Sequence, residues 1–130
     1  MGSLDDLKIL DFSTLLPGPY ATLMLADMGA EVLKISSASR PDIVLDYPPF
    51  IGDTGVSASQ AWLGRNKKTM FLNLKTGEGK AVVKELVKEY DIVLEQFRPG
   101  VMEKLGLGYE GLKAVNPKLI YCSLTGYGQT

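Results

Sequence analysis

Leu7-Lys-Ile-Leu-Asp-Phe12, followed by Ser13-Thr-Leu-Leu-Pro-Gly-Pro19 and then by Glu31-Val-Leu-Lys-Ile35, decides how this chain folds. The first and last stretches are short and largely apolar, the pattern of strands covered on both faces in a parallel sheet. The middle stretch breaks the first strand with residues that favour turns and helix starts, and Pro19 suits a first helical position. Tyr20, Leu23, Met24 and Ala26-Asp-Met28 continue a helix of little charge, which Gly29 can close in the left-handed conformation. The unit is β-α-β. Its crossover is expected to be right-handed and its strands parallel, which predicts an α/β fold with an open, mostly parallel sheet flanked by helices.

The same alternation continues outward. Thr69-Met-Phe-Leu-Asn73 reads as a strand, and Thr76 can cap a helix over 77–89 with Val82, Val83, Leu86, Val87 and Tyr90 on one face. Ile92-Val-Leu94 is a short buried strand. Val101–Leu105 and Tyr109–Val115 read as short helices, and Leu119–Leu124 as a last, nearly continuous apolar strand. Residues 36–59 are rich in Ser, Pro, Asp and Gly without a period and predict a long surface segment.

With 130 residues, 45% of them hydrophobic, the chain can bury one core, so residues 1–130 are read as a single domain. Met1-Gly2-Ser3 has the wording of a cloning remnant. Fourteen basic residues against fifteen acidic ones give a formal charge of −1, which offers no overall field for nucleic acid or an anionic membrane. No apolar run approaches a membrane span, and no signal-peptide pattern is present. The single cysteine, Cys122, excludes an intrachain disulfide and suits a reducing cytoplasm. Inside an apolar run it is expected to be a buried structural thiol. The absence of histidine removes a Ser-His-Asp triad, a Cys-His pair and any histidine metal site from these residues, and no metal site is expected.

Glu95-Gln-Phe-Arg-Pro-Gly-Val101 places an acid, an amide, an aromatic ring and an arginine at the carboxyl end of the strand over 92–94. Open α/β sheets usually place ligands there, with a surface arginine before an ordinary turn as the plain alternative. Arg65-Asn-Lys-Lys68, just ahead of the strand over 69–73, is a second cationic spot able to grip phosphate, with a solvated charge run as the plain alternative. Two such spots suit a polyphosphate ligand. Gly126-Tyr-Gly128 is a loop that either covers a substrate or merely turns the chain. Gly106-Leu-Gly-Tyr-Glu-Gly111 matches the dinucleotide fingerprint in letters only, because a helix precedes it where a strand is required. Gly77-Glu-Gly-Lys80 fails as a phosphate loop because Ala81 replaces the magnesium-binding hydroxyl.

Five segments in order resemble the family III CoA transferases, a group that also holds the α-methylacyl-CoA racemases. They are Leu10-Asp-Phe12 with Pro17-Gly-Pro19, Leu25–Ile35, Asn66–Thr69 with Leu72-Asn-Leu-Lys75, Glu95–Val101, and Asn116–Tyr121 with Thr125–Gln129. Members of that family are longer, so the resemblance implies that residues 1–130 are an amino-terminal, Rossmann-like, CoA-binding part. It implies CoA or acyl-CoA as substrate, with no covalently bound cofactor, and a carboxylic acid as the acceptor. It implies that Arg98, Asn66, Lys67 and Lys68 meet the nucleotide phosphates, while Leu72, Lys75, Gln96, Phe97 and Lys104 line the adenosine and pantetheine path. Leu16, Pro17, Gly18, Tyr127 and Gly128 fall near the reacting acyl group. The catalytic aspartate of a transferase, working through an aspartyl-acyl anhydride, is expected beyond Thr130, so none of the catalytic residues lies in this chain. A 2-methylacyl-CoA racemase and a non-catalytic CoA-binding module are the alternatives, and an interlocked homodimer is implied. Two departures stand out. Ser36-Ser37 replace the acid and Arg or Pro of many relatives, so a nucleotide contact there requires Arg40, and Leu16 in place of a glutamine speaks against formyl or oxalyl substrates.

Overall fold

The computed structural model describes residues 2–130. Five strands form one parallel sheet: β1 (Lys8–Asp11), β2 (Glu31–Ser36), β3 (Lys67–Phe71), β4 (Ile92–Glu95) and β5 (Ile120–Ser123). Their spatial order is β3-β2-β1-β4-β5. The helices are α1 (Pro17–Asp27), α2 (Ala58–Leu63), α3 (Gly77–Val87), α4 (Val101–Lys104) and α5 (Tyr109–Val115). The chain winds outward from β1 to β3 and then crosses back to place β4 on the other side of β1. This reversal is the switch point of a Rossmann-like sheet, the place where open α/β sheets form a crevice at the carboxyl ends of their strands.

Strand periodicity sorts the core into two layers. Ile9 and Val32 face α1 and pack with Ala26 and Ala30, while Leu10, Leu33 and Val93 face the other way onto Val83 and Val87 of α3, Met102 and Leu112. Both faces are covered, which is why the central strands read as unbroken apolar runs. Thr76 caps α3 as its sequence predicts, its Oγ1 accepting from Gly79 N at 3.1 Å.

Four expectations are corrected. Helix α1 begins at Pro17, two residues before Pro19, because Pro17 already has the φ and the missing N–H that a first helical turn tolerates. Strand β3 begins at Lys67, so Lys67 and Lys68 belong to the strand and do not precede it. The 36–59 segment is not featureless. Asp42 accepts from Val44 N and caps a 3₁₀ turn at Ile43–Asp46, and Ser57 accepts from Gln60 N to cap α2. Finally, Cys122 is exposed. Strand β5 is an edge strand, and Ile120 beside Cys122 keeps 59% of its surface open. An apolar composition shows that a strand can be buried, not that anything covers it. Among the described residues no helix is long and apolar enough to cross a membrane.

Candidate functional site

The loops leaving β1, β4 and β5 meet at the carboxyl edge of the sheet, and side chains from the end of β4 tie them together. Gln96 Oε1 accepts from Gly18 N at 3.0 Å, and its Nε2 donates to Thr14 O at 2.9 Å. One amide thus bridges the turn that follows β1. A Cβ at Gly18 would lie 2.9 Å from Gln96 Oε1 and collide with Ser13, so the close approach requires glycine. Beneath it, the fully buried carboxylate of Asp11 accepts from Ser13 N at 2.8 Å and from Thr22 Oγ1, fixing the turn to the start of α1.

Two cavities open on either side of Phe97 and Arg98. The larger, about 760 Å³, is lined by Leu15, Arg40, Leu72, Lys75, Phe97 and Arg98, among others. The smaller, about 540 Å³, is lined by Pro17, Gln96, Phe97, Arg98 and the Thr125–Gly128 loop. Both are of the size that small ligands occupy. Phe97 and Arg98 form the wall they share. Among the described residues, Arg40, Lys75 and Arg98 make no ion pair, so three free cations surround the larger cavity.

The sequence-predicted residues divide accordingly. Leu72, Lys75, Phe97 and Arg98 come together at the larger cavity, and Pro17, Gln96, Tyr127 and Gly128 at the smaller. Leu16 stands half-exposed at the start of α1, Gly18 is buried in its first turn, and Lys104 lies on α4; none of the three lines either cavity. The Asn66–Lys67–Lys68 cluster sits elsewhere. It marks the amino end of β3, since Lys67 pairs with Val32 at the start of β2, whereas Arg98 follows the carboxyl end of β4.

Its groups are already engaged. Asn66 Nδ2 donates to Asp27 Oδ1 at 2.9 Å beside Arg65, whose guanidinium holds that carboxyl below the usual range. Lys68 lies 3.5 Å from Glu31. The Lys67 side chain is 1% exposed, and its Nζ donates to Pro19 O at 2.7 Å and to Thr22 Oγ1 at 2.8 Å, with Asp11 at 3.8 Å. The cationic run seen in the sequence is therefore a brace between β3 and α1, which run position alone does not reveal.

Burial lowers the Lys67 pKa from 10.5 to about 8, against the pull of Asp11. The unfolded chain therefore binds more protons than the folded one between those two values, and the contribution of Lys67 to stability rises with pH through that window. Urea unfolding of wild type and Lys67→Met should show the difference moving in favour of wild type from pH 7.5 to pH 10. A constant difference would remove this assignment.

Two further groups are not evident from the sequence. Lys34 and Asp42 form a buried ion pair at 3.0 Å, with side-chain exposures of 7% and 3%. Asp42 also accepts from Leu15 N at 3.1 and 3.2 Å, which holds Leu15 at φ 62° on the lip of the larger cavity. The available signal was Pro41-Asp42 ahead of an apolar triplet, a turn-and-cap wording that names no distant partner. Glu95 is the other, buried to 5% exposure at the end of β4. Next to it on β5, Tyr121 stacks edge-on against Tyr109, and burial together with Glu95 and Glu103 pushes its phenol well above the ordinary value.

The fold is a Rossmann-like α/β sheet with a cation-lined crevice at its switch point, the place where open α/β sheets usually bind ligands. Residues 4–130 match the model of CoA-transferase family III, and the chain belongs to that family. It is 44% identical over 98% of its length to succinyl-CoA:mesaconate CoA-transferase of Haloarcula marismortui, covering 33% of that protein. It is 40% identical over 99% of its length to acetyl-CoA:oxalate CoA-transferase of Acetobacter aceti, again covering 33% of the relative. A crystal structure of a CaiB/BaiF family protein from Brucella suis superposes with a TM-score of 0.91 at 40% identity, over 99% of this chain and 35% of that one. The chain spans about a third of the length of the curated relatives it matches.

Proposed function

We propose that residues 1–130 are the CoA-holding, amino-terminal part of an acyl-CoA:carboxylate CoA-transferase. The observation that carries this reading is the pair of cavities sharing the Phe97–Arg98 wall: the larger has three free cations, Arg40, Lys75 and Arg98, and the smaller has none but Arg98. A diphosphate and a 3′-phosphate suit the first through charge-assisted hydrogen bonds. The pantetheine arm then passes Phe97 to bring the thioester to the second, where Pro17, Tyr127 and Gly128 surround the acyl group. A carboxylate from polypeptide outside residues 1–130 attacks the thioester carbonyl, the C–S bond breaks, and CoA leaves as thiolate while an aspartyl-acyl anhydride forms. This chain's part is to retain the carrier through that exchange.

The relative named for succinyl-CoA and mesaconate favours dicarboxylic acids longer than oxalate as the exchanged groups, in keeping with Leu16. Mixing the full-length gene product with succinyl-CoA and a second dicarboxylic acid should produce a new CoA thioester, read by mass. Deuterium entering C2 of a 2-methylacyl-CoA in heavy water, with no transfer, would replace this reading by a racemase. CoA binding with neither reaction would leave a carrier-binding module.

A further inference from the structure

Glu95 is a carboxylate at 5% exposure that takes part in no ion pair among the described residues. Removing a carboxylate from water without a cation is costly, so its hydrogen bonds have to compensate. Two are present, and they point in opposite directions. Glu95 Oε2 accepts from Phe97 N at 2.8 Å, which closes the turn leading to Arg98. Glu95 Oε1 accepts from Ser123 Oγ on the neighbouring strand, and Ser123 Oγ accepts in turn from Gln129 Nε2 at 2.7 Å. The backbone follows the same path, with Leu124 N donating to Glu95 O at 2.9 Å.

We infer that Glu95 is a positioning residue whose carboxylate couples the Phe97–Arg98 turn to the Thr125–Gln129 loop, so that both walls of the smaller cavity are set by one side chain. The observed polarity of the relay suits an acid. Ser123 has one hydroxyl proton, and giving it to Glu95 leaves its lone pairs for Gln129. A glutamine at position 95 can accept from Phe97 N with its oxygen, but then aims an NH₂ at Ser123. Ser123 must turn its proton away from position 95, so Gln129 either reverses its amide to accept that proton or shares the hydroxyl oxygen with a second donor. The isosteric change therefore replaces a charged acceptor and forces the Ser123–Gln129 link to rearrange without opening a cavity.

Hydrogen exchange on the full-length gene product tests the coupling without any ligand. In Glu95→Gln, peptides covering 96–100 and 124–130 should both exchange about tenfold faster, whereas Ser123→Ala should accelerate 124–130 alone. Acceleration of only one loop by Glu95→Gln, of neither, or of β1 and β2 to the same degree would overturn the assignment. The consequence for the carrier rests on the transferase reading and is measured separately. Glu95→Gln should weaken CoA binding by about tenfold through the slackened Arg98 turn, with Ser123→Ala within about twofold of wild type. Wild-type protein that fails to bind CoA would remove the transferase reading while the exchange pattern still decides the coupling; normal CoA affinity in Glu95→Gln would confine the role of Glu95 to the loops.

Discussion

Arg98→Ala should weaken CoA binding by the full-length gene product about ten- to a hundredfold, the range expected for losing a charged hydrogen bond of about 1.5–3 kcal/mol. The prediction follows from the position of Arg98. It is exposed, makes no ion pair among the described residues, and lines both cavities, so no internal partner offsets its loss. The Pro99-Gly100 turn that carries it has Gly100 at φ 82° and leads straight into α4, which fixes where the guanidinium starts from. Arg98→Lys keeps the charge but loses the fork that binds phosphate oxygens in pairs, and should recover only part of the affinity. Calorimetry with CoA reads both variants, and the melting temperature should hardly move because the side chain packs against solvent. Wild-type affinity in Arg98→Ala would remove the main contact of the proposed cradle.

Asp42→Ala should destabilise the fold by about 3–5 kcal/mol, the cost of leaving one partner of a buried pair alone. Lys34 is 7% exposed on its side chain and makes no second ion pair among the described residues, and Leu15 N loses its acceptor in the same step. Such a loss is a large part of the 5–15 kcal/mol that a domain of this kind possesses in total. The double variant Lys34→Met/Asp42→Ala should recover much of it, because an apolar side chain replaces the stranded ammonium. Urea midpoints of the single and double variants give the comparison. A single-variant loss below about 1 kcal/mol would mean that water reaches the pair and that it does not hold the Leu15 turn.

The two predictions separate kinds of residue that the sequence presents alike. Arg98 and Lys67 are both cations at a strand terminus, yet one faces a cavity and the other braces α1 through Pro19 and Thr22. Lys75 and Lys68 differ in the same way, the first on the cavity wall and the second beside Glu31 on the outer edge. A run of basic residues is visible in one dimension, but the partners that engage it, Asp27, Glu31, Pro19 O and the Thr22 hydroxyl, lie far earlier in the chain. Arg40 shows the converse. Only the family resemblance named it, and it joins the cavity because the segment after β2 is pinned by Asp42 to Lys34 and Leu15.

The sequence alone determined the elements and their alternation. Short unbroken apolar strands, a helix with one apolar face, Thr76 as a cap and Pro-Gly turns are local properties, and each falls within a few residues of its place in the fold. It also marked the turn after the strand at Ile92 as the candidate site, because a strand end brings polar groups and a turn together in that order. Tertiary structure decided which ends meet. The order β3-β2-β1-β4-β5 puts the turns after β1 and β4 side by side and sends the amino end of β3 to the opposite rim. It also decided that β5 is an edge, which exposes Cys122, and that Glu95 faces inward onto Ser123. The physical reason is common to all of these. A residue's type and spacing fix what it can bond, but the free energy of a buried charge or an open edge depends on partners distant in sequence, and those are assigned only when the sheet assembles.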